Sequence, residues 1–192
     1  MDDIDRPIIE DVRSGNTRRF AEIVDRHKDR ALTLACRLLG NREEAEEAVQ
    51  DAFLRCFRAL ERFRGESRFS TWFYRILYNR CLTQLHRRGE AEEEAEPVDQ
   101  EVLQSVAAEV EETSALRLLE EREMADILQE ETDRLPSQYR SALLLFYVQE
   151  MRYEEISEVL ALPMGTVKTH LFRAREMLKK RVLTRIEEAQ SA

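Results

Sequence analysis

The sequence contains three groups of residues whose types and spacing suit the handling of nucleic acid. The first begins at Phe63-Arg-Gly-Glu-Ser-Arg-Phe69, a polar stretch between two aromatics that has the chemistry to hold an extruded base. A helical projection of the residues that follow puts Trp72, Arg75, Ile76, Asn79, Thr83, His86 and Arg87 on one side. Phe73, Tyr74, Leu77, Tyr78, Cys81 and Leu85 fall on a broad apolar side. The only Trp therefore lies among basic and amide side chains. Such a mixture can wedge a base step and stack or hydrogen-bond an unstacked strand. Trp72 and Ile76 would serve equally well as core against another helix.

The second group lies near the far end of the chain. Tyr153-Glu-Glu-Ile-Ser-Glu-Val-Leu160 reads as a short amphipathic helix, Leu162 to Gly165 as a tight turn, and the following residues as a longer basic helix. This is the outline of a helix-turn-helix. At 100° per residue Val167, Leu171, Ala174 and Leu178 share a packing face. Thr169, Phe172, Arg173 and Glu176 lie opposite, with Lys168 on the flank. An apolar ring among hydroxyl and basic groups suits thymine methyls, base edges and phosphates. An ordinary helical hairpin is the competing reading. The third group, Glu47, Gln50, Asp51, Leu54 and Arg58, sets a Leu among polar and charged residues and suits protein docking.

The elements that position these groups all read as helix. Apolar residues recur near the 3.6 period from Asn16 to Leu39, Gly40 ends that helix, and Asn41 caps the next, which runs to about Phe63. On it Ala45, Val49, Ala52, Cys56 and Leu60 face inward. A third helix is expected over about Ser70 to Arg88, with Ser70 or Thr71 near its N-cap. Further helices are expected over about Ala115–Asp133, Ser137–Gln149, Glu154–Ala161 and Pro163–Glu188. The fold class is all-α: two small helical domains, 1–90 and 119–192, joined by an acidic linker over 91–118. Only 5 Gly and 4 Pro in 192 residues argue against a β sandwich, a barrel or a Gly-rich phosphate cradle.

Charge is segregated along the chain. The net charge is −9, yet Gly89–Asp133 alone carries −15 and the segments on either side carry +3 each. Arg55–Arg88 holds 9 basic against 2 acidic residues, and Thr166–Arg185 holds 7 against 1. This arrangement suits a polyanion that touches both ends of the protein and not its middle. No stretch approaches the roughly 20 apolar residues of a membrane span, and the acidic start lacks the apolar core of a signal peptide. Cys36, Cys56 and Cys81 are few and scattered, which suits buried thiols in a reducing cytoplasm. No paired carboxylates, metal-ligand cluster or nucleophile–base set is evident, so no enzyme, metal or cofactor is expected.

Together these segments resemble the extracytoplasmic-function, or group IV, sigma factors of bacterial RNA polymerase, from about Phe20 to Leu183. The resemblance is carried by Glu46-Glu-Ala-Val-Gln-Asp-Ala-Phe53, Phe69-Ser-Thr-Trp-Phe-Tyr-Arg-Ile76 with Asn79, Leu135-Pro136, Tyr153-Glu-Glu-Ile156, Gly165-Thr-Val-Lys168 and Arg173-Ala-Arg175. It implies a sigma-two-like domain that docks on the clamp helices of the largest polymerase subunit and opens the minus-ten element. It also implies a sigma-four-like domain that contacts the flap and reads the minus-thirty-five element as duplex.

By that resemblance Gln50, Asp51 and Leu54 serve core polymerase. Phe63, Arg64, Ser67, Phe69 and Ser70 form the base-capturing loop. Trp72, Arg75, Ile76, Asn79 and Arg80 lie along the melted edge, with Arg75, Arg80 and Arg87 as a positive track. Thr166, Lys168, Thr169, His170, Phe172 and Arg173 read the upstream element. An anti-sigma factor is a further expected partner. The sequence departs from the family's usual pattern at His170, where many members carry Arg, at Arg152, where Ser often caps, and at Phe73, where Leu is common. A stand-alone dimeric helix-turn-helix repressor is the alternative function.

Overall fold

The computed structural model describes residues 3–89 and 115–190, with side chains described over 3–89 and 124–186. Among them there is no strand. The elements are α1 (Arg6–Arg13), α2 (Phe20–Leu39), α3 (Arg42–Ala59), α4 (Phe69–Arg88), α5 (Ala115–Asp133), α6 (Ser137–Tyr147), α7 (Tyr153–Leu160) and α8 (Met164–Gln190). Single 3-10 turns precede α2, over Thr17–Arg19, and follow α3, over Leu60–Arg62.

The α2–α3 corner follows from local chemistry. Gly40 takes φ +67°, a left-handed value that favours glycine, and its N–H donates to the Cys36 carbonyl at 2.8 Å. The Asn41 side chain then accepts from the Glu44 N–H at 3.1 Å, and Glu43 and Glu44 complement the positive end of α3. The inward row of α3 is Ala45, Val49, Ala52 and Cys56, with Leu60 just beyond its end; all are buried, and the small residues let α2 approach closely.

Helix α4 is the axis of the molecule. Phe69, Phe73, Leu77 and Cys81 are fully buried, and α4 packs against α2 and α3 as well as α7. This double packing accounts for its unusually broad apolar arc. The expected N-cap at Ser70 or Thr71 is corrected, because the helix begins at Phe69. Its first N–H donates to the carboxylate of Asp3 at 2.6 Å, so the cap comes from 66 positions away.

Helix α1 was not anticipated. Its eight residues hold only three apolar side chains besides the proline at its start, too few to show a period. It buries Ile8, Ile9 and Val12, and is anchored where Asp5 accepts from Arg26 and from His27 Nε2 at 2.7 Å. Burial alone would raise the Asp5 pKa, but the bonds and charges of His27 and Arg26 outweigh it and hold the carboxyl below its usual range.

The second bundle is built on α8, whose Val167, Leu171 and Ala174 are buried and whose Leu178 is half-buried. The turn before it starts earlier than expected. Ala161 takes φ +55°, the Leu162 N–H donates to the Ser157 carbonyl at 3.1 Å, and Gly165 already belongs to α8. The expected linker falls largely outside the described residues, and its end, 115–118, is part of α5. The bundles touch. Gln149 Nε2 donates to the Arg30 carbonyl at 3.0 Å, Arg68 meets Glu155 at 3.4 Å, and one hydrophobic cluster runs across both. No described helix is long and apolar enough to cross a membrane.

Candidate nucleic-acid interfaces and an apolar groove

The loop from Phe63 to Arg68 enters α4 beneath an aromatic group. Phe63 stacks on Trp72 at 4.9 Å between centroids with 29° between planes, and Phe69 meets Trp72 edge-on at 5.8 Å. Trp72 is half-buried, so the ring is neither pure core nor a bare wedge. Phe63 lies over one of its faces. Arg64 is exposed, and Ser67 and Ser70 are half-buried. Along α4, Arg75 and Asn79 are exposed and Ile76 is half-buried between them and the core. Arg75 and Arg87 are exposed without an ion-pair partner among the described residues. Together they offer a positive edge and an amide beside an aromatic stack.

Two residues expected on this surface belong elsewhere. Phe69 is 0% exposed and supports the Phe63–Trp72 stack from below. Apolar area of that size is worth more in the core than at a wet loop. The Arg80 side chain is 13% exposed and turns to α3, where it meets Glu47 at 3.1 Å and Asp51 at 2.9 Å. It is a brace between α3 and α4, not part of a free positive track.

The docking residues separate in the same way. Gln50 and Leu54 are exposed and line an open apolar groove of about 970 Å³ between α2 and α3. Its walls include Phe20, Val24, Leu32, Val49 and Phe53, and Phe57 stands at the rim with 39% exposure beside Leu54 at 46%. Asp51 does not line it; its carboxylate accepts from Arg55 Nε at 2.8 Å and faces Arg80. The sequence reading found the α3 side of the groove and missed the α2 side. Phe57, three positions after Leu54 on α3 and outside the inward row, was an available signal that the apolar surface extends beyond Leu54.

On α8, Lys168 is exposed and Phe172 is 39% exposed. Thr166 is half-buried, and Thr169 donates its hydroxyl back to the Gly165 carbonyl at 3.0 Å. Arg173 donates to the Tyr139 hydroxyl at 3.3 Å, and Arg175 to the Tyr147 hydroxyl at 2.9 Å, with its guanidinium 5.4 Å from the centre of the Phe146 ring. Helix α6 therefore fixes Arg173 and Arg175 of α8, a role the sequence alone did not reveal. His170 packs edge-on to Tyr139 at 5.3 Å, and its buried Nδ1 has no partner. Burial and the nearby Arg173 charge lower its pKa, so the ring is neutral near pH 7. Arg152 holds the N-cap position of α7 without a side-chain cap; the Glu155 carboxylate accepts from its N–H at 2.9 Å. Among the described residues no group of His, Cys, Asp and Glu could hold a metal ion.

Two family models match the chain: Sigma-70 region 2 over residues 23–91, and Sigma-70, region 4 over residues 125–178. Among curated proteins, the chain is 36% identical over 179 residues to the ECF RNA polymerase sigma factor SigW of Bacillus subtilis, covering 91% of this chain and 94% of that one. It is 34% identical over 193 residues to the RNA polymerase sigma-H factor of Pseudomonas aeruginosa, covering 96% and 97%. Among solved structures, CnrH, in complex with the cytosolic domain of CnrY, is similar with a TM-score of 0.62, 26% identity and coverage of 92% and 95%. The sigma factor RpoE of Bartonella quintana, co-crystallised with the anti-sigma factor NepR, shares the fold at a TM-score of 0.62 and 22% identity.

Proposed function

The chain belongs to the extracytoplasmic-function sigma factors of the sigma-70 family and directs promoter-specific transcription initiation by RNA polymerase; we propose that it does so through three separate surfaces. The groove bordered by Gln50, Leu54 and Phe57 receives core polymerase, at the clamp helices of its largest subunit. The Phe63–Ser70 loop, with Trp72, Arg75, Ile76 and Asn79, opens the minus-ten element and holds an unstacked base. Lys168, Phe172 and Arg173, flanked by Thr166, Thr169 and His170, read the minus-thirty-five element as duplex. Residues 1–90 carry the first two tasks and residues 119–192 the third, with the flap as a second polymerase contact. The protein catalyses no reaction of its own and works in the cytoplasm.

The observation that supports this most strongly is the pairing on one bundle of an open apolar groove with a basic aromatic edge. Apolar surface of this kind calls for a protein partner, and the edge for a polyanion. The same openness favours an anti-sigma factor that covers these faces until polymerase is needed; a pull-down from the native cell should recover one beside polymerase. A stand-alone repressor has no use for the first bundle. Run-off transcription with core enzyme on a promoter library should give discrete start sites. The chain alone should bind the same duplexes far more weakly. Tight binding of a palindromic duplex without core enzyme would favour the repressor.

A further inference from the structure

The loop assigned to base capture is held at both ends by the N-terminal segment. At its entry the Arg13 guanidinium donates from Nε and Nη2 to the Leu60 carbonyl, at 3.0 and 2.7 Å, and from Nη2 also to the Phe63 carbonyl. At its exit the Asp3 carboxylate accepts from the Phe69 N–H at 2.6 Å, while its other oxygen accepts from the Asp5 N–H at 3.2 Å. Asp5 is buried against His27 and Arg26, and Ile8, Ile9 and Val12 are buried beside it, so the clasp rests on a fixed base. The Phe63 carbonyl held by Arg13 belongs to the residue whose ring lies on Trp72. A shift of that peptide moves the stack. Helix α1 lies ahead of the segment that matches region 2, so the region 2 match assigns it no role.

We propose that Arg13 and Asp3 are positioning residues for base capture. They set the mouth of the Phe63–Ser70 loop and the seat of Phe63 on Trp72, and so set the nucleotide preferred at the captured position of the single strand. This rests on the reading of that loop as the base-capturing element. The chemistry is specific at each end. A guanidinium fork can span two carbonyls, whereas a lysine ammonium is a point donor on a flexible stem. An asparagine at position 3 keeps an acceptor for the Phe69 N–H, and alanine removes it.

The test uses full-length variants assembled with core polymerase, on promoters carrying each of the four bases in turn at every minus-ten position. Opening is read by permanganate reactivity of unpaired thymines, and binding by competition on the same complexes. For Arg13→Ala and Asp3→Ala, the preference for the best base over the worst should fall about tenfold, the discrimination one good base contact provides. Duplex binding should stay within about twofold of wild type. Asp3→Asn, which keeps one of the two acceptor oxygens, and Arg13→Lys should each restore the preference in part. On a pre-melted template the opening defect should vanish and the flattened preference persist, a split that loss of stability would not produce.

Unchanged preference in both alanine variants overturns the proposal, as does Asp3→Asn behaving like Asp3→Ala. If the alanine variants lose helical content, the comparison of Arg13→Lys with wild type decides: a partial loss of preference supports the clasp, and full preference overturns it. Arg64→Ala and Ser67→Ala, within the loop, separate the two levels. If they flatten the preference and the α1 variants do not, the clasp alone fails. If they leave it intact, the base-capturing reading fails and the clasp with it.

Discussion

At the scale of single residues, exposure decides role more sharply than chemical type. Leu54 and Phe57 present apolar surface to solvent while the apolar residues beside them, Phe53 and Cys56, are buried, which marks them for a partner. Leu54→Asp should weaken core association about tenfold to a hundredfold, the loss of one buried aliphatic side chain. Helical content should be retained because the residue contributes little to the core; titration of labelled core with the variant measures the first and circular dichroism the second. Trp72→Ala should leave promoter binding nearly intact and lower permanganate reactivity of the opened thymines, since Phe63 would lose the ring it stacks on. Arg173→Ala should cost about 1–3 kcal/mol on duplexes that carry the upstream element. Pre-melted templates lacking that element should be spared. The sequence revealed which residues leave the inward rows, because periodicity encodes it. It did not reveal that Arg80 is committed to Glu47 and Asp51, since the partners lie about thirty positions away on another helix.

At the scale of elements, every described helix but α1 was legible, including the eight-residue α7. Gly40 and Asn41 wrote the α2–α3 corner into adjacent residues. The cap of α4 was hidden because its acceptor is Asp3, and the turn before α8 shifted because Ala161 takes the left-handed conformation and Gly165 already lies in α8. Helix α1 depends on tertiary anchoring, which gives it a definite acid response. The native Asp5 pKa lies below its ordinary 3.8, so its contribution is present above about pH 3.8 and is lost as pH falls toward the native value. His170 adds a second window with the same sign. Its native pKa lies below the ordinary 6.5, so the folded state disfavours the proton and stability declines as pH falls below about 6.5. Urea unfolding at pH 8 and at pH 5.5 should show this decline, and His170→Gln should reduce it. Asp5→Ala should lower stability by about 1–3 kcal/mol, because its partners lose a charge-assisted acceptor; denaturant melts at neutral pH check the value.

At the scale of the whole molecule, the two bundles share a hydrophobic cluster along α4, and Tyr78 lies partly buried against Ser141 of α6. The apolar breadth of α4 was visible in its sequence, but not the second partner that explains it. A helix near Ser70–Arg88 with Tyr74 and Tyr78 inward reads the same whether one bundle packs on it or two. Gln149 is one of several polar ties outside the proposed reading faces, reaching the Arg30 carbonyl from the other bundle, beside the Arg30–Glu150 pair at 3.2 Å. Gln149→Ala should loosen the closure and raise the radius of gyration by small-angle scattering, from the roughly 16 Å of a compact chain of this length. Far-ultraviolet circular dichroism should not change.

That closure sets a geometric limit. A compact body of this length is roughly 40 Å across. The minus-ten and minus-thirty-five positions lie 25 base pairs apart, about 85 Å along the duplex. On the division of labour proposed above, packed bundles of that size cannot engage both elements at once, so engaging both requires the bundles to part. Apparent promoter affinity is then the intrinsic affinity scaled by the fraction open. Any partner that binds only the open arrangement raises that fraction, and DNA tightens the partner's hold by the same factor. On that reading the shared core along α4 opposes promoter engagement by the free chain, and a partner that parts the bundles relieves the opposition.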